Sequence, residues 1–170
     1  LFNKGILPVA VATAMFGAGV AQAVTIGEGG PESVTVSTNV TANYWVSNNG
    51  TLVINNNGGQ MQSFYGTIDG SNLSTSTNGS RADSARGNVT ITAANGLTLY
   101  GDVGATNGTG NMTLEAGSTL YLADNMTTFR TSNLTIGTGS TVYTGNNASQ
   151  GYNRASGDAL TMTSNITMRG

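Results

Sequence analysis

Between Asn88 and Tyr143 apolar residues alternate with Thr or another polar residue, the period of a strand with one face buried. Val89 and Ile91 point one way, as do Met112 and Leu114, then Leu134 and Ile136. A second short strand follows each of these, carrying Leu97 and Leu99, Leu120 and Leu122, and Val142. The same phrase is written three times: Asn88-Val-Thr-Ile with Gly96-Leu-Thr-Leu-Tyr100, Asn111-Met-Thr-Leu with Gly117-Ser-Thr-Leu-Tyr121, and Asn133-Leu-Thr-Ile with Gly139-Ser-Thr-Val-Tyr143. The first halves start 23 and 22 residues apart, the second halves 21 and 22 apart. A period of this length implies a repeat architecture in which each copy buries its apolar face only against its neighbours. The predicted fold is all-β, a right-handed parallel β-helix (solenoid) with rungs of about 22 residues. Aligning the second halves predicts an interior column of Leu99, Leu120 and Val142 and an outer column of Tyr100, Tyr121 and Tyr143.

The rest of the chain divides around that block. Residues 1–23 have the layout of a secretory signal peptide: Lys4, an apolar run from Ile6 to Val20, then Ala21-Gln22-Ala23 as a small-x-small cleavage site. At about 16 residues the run is shorter than the roughly 20 of a spanning helix. Residues 24–59 read as an N-terminal cap and irregular first rungs, with Trp45 and the imperfect strand phrase Thr51-Leu-Val-Ile54. Residues 60–87 form an irregular segment ending in a polar excursion at 74–87, and 88–170 hold the regular rungs. A second excursion at 144–157 precedes Leu160 to Met168. Leu1 is not an initiator Met, so a residue or two is read as missing before it. Because Gly170 directly follows a strand-like phrase with no polar cap, the chain is read as the front end of a longer protein.

Composition narrows the chemistry. With 25 Gly, 20 Asn and 41 Ser plus Thr against 8% charged residues, the chain favours strands over self-repelling disorder. Six Lys and Arg without clustering exclude the basic footprint of a nucleic-acid binder. There is neither Cys nor His, which removes disulfides, thiolate chemistry and the usual base for a Ser nucleophile.

The leader followed by Asn-Met-Thr-Leu-Glu-Ala-Gly-Ser-Thr-Leu-Tyr-Leu and Asn-Leu-Thr-Ile-Gly-Thr-Gly-Ser-Thr-Val-Tyr resembles the N-terminal part of a bacterial autotransporter passenger, or a related adhesin of the pectin-lyase-like β-helix type. The resemblance covers residues 88–168 well and 34–87 loosely. It implies a secreted or cell-surface protein of a Gram-negative bacterium, displayed by a C-terminal outer-membrane barrel, with host or bacterial surface glycans or proteins as partners. On this reading the chain is not an enzyme and takes no cofactor or metal. The alternative of another class is a self-assembling filament subunit joined through the open end of the helix, and a remote third is a polysaccharide-acting enzyme.

Three sets of side chains are candidates for chemistry. Asp102 and Asp124 follow Tyr100 and Tyr121 at similar offsets and are expected to be neighbours; turn residues of this kind are mostly structural. Tyr100, Tyr121 and Tyr143 are a candidate ligand-stacking column, since flat aromatic faces suit sugar rings, with stabilisation of the coil as the commoner role. The eleven Asn-x-Ser/Thr triplets follow from the repeated phrase rather than from selection for glycosylation.

Overall fold

A computed structural model of the chain describes residues 24–27, 33–47, 50–56, 59–70, 86–144 and 160–169. The apolar leader with Ala21 and Ala23, most of the excursion at 74–87 and nearly all of that at 144–157 lie outside the described residues.

Among the described residues the fold is all-β, without a helix. Its strands are β1 (Val24–Ile26), β2 (Ser33–Val36), β3 (Tyr44–Val46), β4 (Thr51–Asn55), β5 (Gln62–Phe64), β6 (Ile68–Gly70), β7 (Asn88–Thr92), β8 (Leu97–Leu99), β9 (Thr109–Leu114), β10 (Thr119–Leu122), β11 (Thr128–Ile136), β12 (Thr141–Tyr143) and β13 (Thr161–Met168). They form three sheets, in the orders β1-β3-β6 (sheet I), β2-β4-β7-β9-β11-β13 (sheet II) and β5-β8-β10-β12 (sheet III). Every strand pairing is parallel. Consecutive strands go to different sheets: β3, β4 and β5 enter sheets I, II and III, and β6, β7 and β8 do so again. This circuit through three parallel sheets is compatible with a parallel β-solenoid.

Parallel pairing in register sets like residues over like, and the interior is built of the resulting columns. On sheet II one column runs Val34, Leu52, Val89, Met112, Leu134, Ile166, and beside it Val36, Ile54, Ile91, Leu114, Ile136, Met168. On sheet I, Val24, Tyr44 and Ile68 continue through isolated bridges to Val103 and Phe129, and then to Met162. Leu52, Ile54, Ile68, Ile91, Val103, Met112, Leu114 and Phe129 are fully buried. Each such apolar side chain withdrawn from water contributes roughly 1.5–3 kcal/mol, and the columns cover each one with residues of neighbouring strands rather than its own.

Sheet III differs from the predicted alignment. Leu120 and Val142 share a column as the phrase suggests, but Leu99 pairs with Leu122, and Leu120 pairs with Leu97. The interior columns are therefore Gln62, Leu97, Leu120, Val142 and, beside it, Val40, Phe64, Leu99, Leu122. The reason is the corner between sheets II and III. Five residues separate Ile91 from Leu97, Leu114 from Leu120, and Ile136 from Val142, so register on sheet III is inherited from sheet II. The glycines move inside that constant length. Turns Glu115–Ser118 and Gly137–Ser140 close through backbone hydrogen bonds of 3.2 and 3.1 Å, with Gly117 (φ 72°) and Gly139 (φ 69°) at the third position, where a left-handed backbone is required. In the first copy the turn is Ala93–Gly96, one place later, and its positive-φ residue is Gly96 at the fourth position. Reading glycine over glycine therefore slips the sheet III strand by two residues.

Two measurements check this architecture. Leu120→Ala leaves a void in a column closed above and below by Leu97 and Val142, and should cost about 2–5 kcal/mol in urea denaturation; Thr113→Ala on the outside should cost under about 1 kcal/mol. The phenol of Tyr44, buried against Phe64 with ring centroids 5.5 Å apart, is raised above its ordinary value of 10.0 by desolvation. A folded-state value above the unfolded one means that stability is intact below about pH 10 and falls as pH rises through the folded value. Tyr44→Phe should flatten that alkaline loss when unfolding is compared at about pH 8 and about pH 11.

Candidate functional site: the outer faces of sheets II and III

Side chains on the outside of the sheets obey the same register as those inside, so chemistry there also comes in rows. The outer column of sheet III is Ser63, Thr98, Tyr121, Tyr143. Tyr121 and Tyr143 stack with ring centroids 4.9 Å apart and planes 8° from parallel. Tyr100 is not under Tyr121. It follows Leu99 at the end of β8, its amide donates to the carbonyl of Phe64 (2.8 Å), and its ring stacks on Tyr65 at 4.7 Å and 15°. The predicted three-membered column is thus two stacked pairs, displaced from one another by two residues along the strand direction.

This arrangement decides what the tyrosines present. In each pair one face of each ring is taken up by the partner ring, and each tyrosine is an apolar body with a polar tip. Tyr65 is 51% and Tyr143 40% exposed, while Tyr100 and Tyr121 are half-buried. Met61, 38% exposed, lies on the same flank: the Thr98 hydroxyl donates to its sulfur at 3.6 Å. A Cβ at Gly96 would come within 3.2 Å of the Tyr121 ring and 3.5 Å of Met61. A side chain there would crowd the Tyr121 ring, which is a second reason for glycine at that position.

Two carboxylates, Asp102 and Asp69, are engaged with backbone amides. Asp102 accepts from the amides of Thr127 (2.7 Å) and Thr128 (2.9 Å) and from the Thr127 hydroxyl (3.0 Å), fixing the entry of the chain into β11. Asn43 does the same for the Thr67 amide (2.9 Å) before β6. The amide of Ala123 donates to the carbonyl of Leu99, which sets Ala123 beside Tyr100. Asp102 stands beside Thr128, one residue before the Val103–Phe129 bridge. Asp69, 4% exposed, accepts from the amides of Thr106 (2.9 Å) and Asn107 (3.4 Å). On the other side of that loop the Arg130 guanidinium donates to the carbonyls of Thr106 (2.7 Å) and Ala105 (3.4 Å). The loop 104–108 is thereby held between an anion that takes its amides and a cation that takes its carbonyls, each a charge-assisted contact. No group of three or more acidic residues positioned to hold a metal ion occurs among the described residues.

Sheet II carries the feature that sequence reasoning passed over. The Nδ2 of Asn111 donates to Oδ1 of Asn88 (3.1 Å), Asn133 to Asn111 (2.8 Å), and Asn165 to Asn133 (3.3 Å). The asparagines of the repeated Asn-x-Thr phrase are a ladder, each amide spent on the next rung. Beside it runs a column of Thr90, Thr113, Thr135 and Thr167. The signal was the recurrence of Asn at the same place in each copy. The pairing of Tyr65 with Tyr100 was also missed: the Phe64-Tyr65 dipeptide parallels Leu99-Tyr100, but 34 residues separate the two tyrosines.

No protein-family model, no curated protein and no solved structure matches this chain.

If Asp102 acts as a turn clamp, Asp102→Ala leaves two amides and a hydroxyl without their acceptor and should destabilise the fold by about 1–3 kcal/mol. Asp102→Asn, which keeps an acceptor oxygen, should cost less, as read from urea midpoints at unchanged m-value.

Proposed function

We propose that this chain is a non-enzymatic, exported surface protein, a right-handed parallel β-helix of about 22-residue circuits whose sides mediate attachment in the manner of an autotransporter passenger or adhesin. The hand follows from the rule that crossovers between parallel strands of one sheet are right-handed; each return of the chain to a sheet, from one strand to its parallel neighbour, is such a crossover. Export rests on the layout of residues 1–23, with cleavage after Ala23, and the outside of a Gram-negative cell is the compartment that fits it.

The observation that carries attachment is the repetition of outer groups in register. Four asparagines, four threonines and two tyrosine pairs stand in rows one strand spacing apart, about 4.8 Å. A surface of identical groups on a rigid support binds a repetitive partner, such as a surface glycan or an array of host or bacterial surface proteins, through many weak contacts at once. Tyrosine edges and hydroxyls add contact area at low entropic cost.

The test is adhesion of beads coated with this chain to immobilised mucin and to cultured epithelial cells. Folded chain should hold several-fold more beads than heat-unfolded chain. Replacing Tyr65, Tyr100, Tyr121 and Tyr143 by Ser should reduce that excess in protein whose circular dichroism remains that of the parent. Equal retention of folded and unfolded chain on both surfaces would contradict the reading.

A further inference from the structure

The two tyrosine pairs have a property that attachment does not require. Each consists of two phenols in van der Waals contact, with centroids 4.7 and 4.9 Å apart, and each includes one ring at least 40% exposed. Their proximity is not incidental. Tyr121 and Tyr143 are register partners on β10 and β12, and Tyr65 and Tyr100 directly follow the register partners Phe64 and Leu99. The sheet keeps each pair together for as long as the protein is folded. The chain has no Cys, so no disulfide ties one circuit to the next.

We propose that Tyr65–Tyr100 and Tyr121–Tyr143 are sites of oxidative cross-linking, in which an oxidant of the peroxidase and hydrogen peroxide class joins the two phenols of a pair. Each phenol loses one electron and one proton to give a phenoxyl radical. The two unpaired electrons form a carbon–carbon bond between ring carbons ortho to the hydroxyls, and the hydrogens on those carbons shift to the oxygens to restore both aromatic rings. The two electrons and two protons released reduce one hydrogen peroxide to two waters. Two bonded rings have centres close to the separation already present, so coupling turns the rings from face-to-face to edge-to-edge with little change in the distance between them.

Geometry also selects these pairs over other routes. A radical on Tyr143 has its partner within contact distance, a local concentration that no second molecule matches in dilute solution. Tyr44 is buried, and its ring neighbour is Phe64 rather than a second phenol. The products would be covalent rivets between neighbouring circuits on an exposed wall, formed where the protein meets an oxidant.

The experiment treats this chain with a haem peroxidase and hydrogen peroxide, follows bityrosine fluorescence, and maps linked peptides by mass spectrometry in the monomeric fraction. The expected result is loss of two hydrogens per bond, links at 65–100 and 121–143, and a yield per chain unchanged by tenfold dilution of the protein. Tyr143→Phe, which keeps a ring in the stack, should remove the 121–143 link and lower fluorescence about twofold; Tyr65→Phe should remove the other link alone. The inference is overturned if links between molecules or at other tyrosines dominate, if yield falls with dilution, or if no bityrosine forms.

Discussion

Parallel pairing at a fixed register is the constraint from which the rest of this structure follows. When one strand lies on the next in the same direction, the backbone hydrogen bonds leave each residue a single place, directly over its counterpart one circuit earlier. Inside, that rule turns Val89, Met112 and Leu134 into one column and Ile91, Leu114 and Ile136 into another. A single circuit could not bury these side chains against itself. They are covered because the neighbours above and below present the same kind of residue at the same place, so that stability resides in the interfaces between circuits.

The same rule acts on polar groups, with different chemistry. An asparagine over an asparagine pairs its donor with an acceptor and continues the series, as Asn88, Asn111, Asn133 and Asn165 do. Serines repeat the device at the corner, where the amide of Ser118 donates to the Ser140 hydroxyl and the amide of Ala93 to that of Ser118. Carboxylates act differently: Asp69, within β6, and Asp102, after β8, collect amides from the loop 104–108 and the start of β11. With so few charges in the chain, these two acidic groups are matched to backbone donors.

Much of this was legible in the sequence. Period-2 alternation identified the strands from Asn88 to Tyr143, and the recurrence of the phrase implied parallel stacking, because identical faces must meet. What the residues could not show was which parts of a repeat are anchored. Similarity of letters suggested Gly96 over Gly117 and Tyr100 over Tyr121, whereas the fold conserves the five residues between Ile91 and Leu97 and lets the glycine slide within the turn. Local turn chemistry thus yielded to the register of the longer sheet II strands, which carry more hydrogen bonds and more buried surface than the three-residue β8. The partnership of Tyr65 with Tyr100 was out of reach for a related reason: nothing in the intervening residues marks which of them belong to the circuit.

Engineered disulfides test the register most directly, and a chain without native Cys makes the result unambiguous. Bridges form when Cα atoms lie about 4.4–6.8 Å apart. Thr98 and Tyr121 are register partners, so the doubly substituted chain Thr98→Cys, Tyr121→Cys should oxidise readily in the folded state. Tyr100 and Tyr121, aligned by the repeated phrase but two residues out of register, are farther apart than a bridge spans, and Tyr100→Cys with Tyr121→Cys should remain reduced under the same mild oxidation. Bridging of the second pair with failure of the first would contradict the stacking described for sheet III and the account built on it.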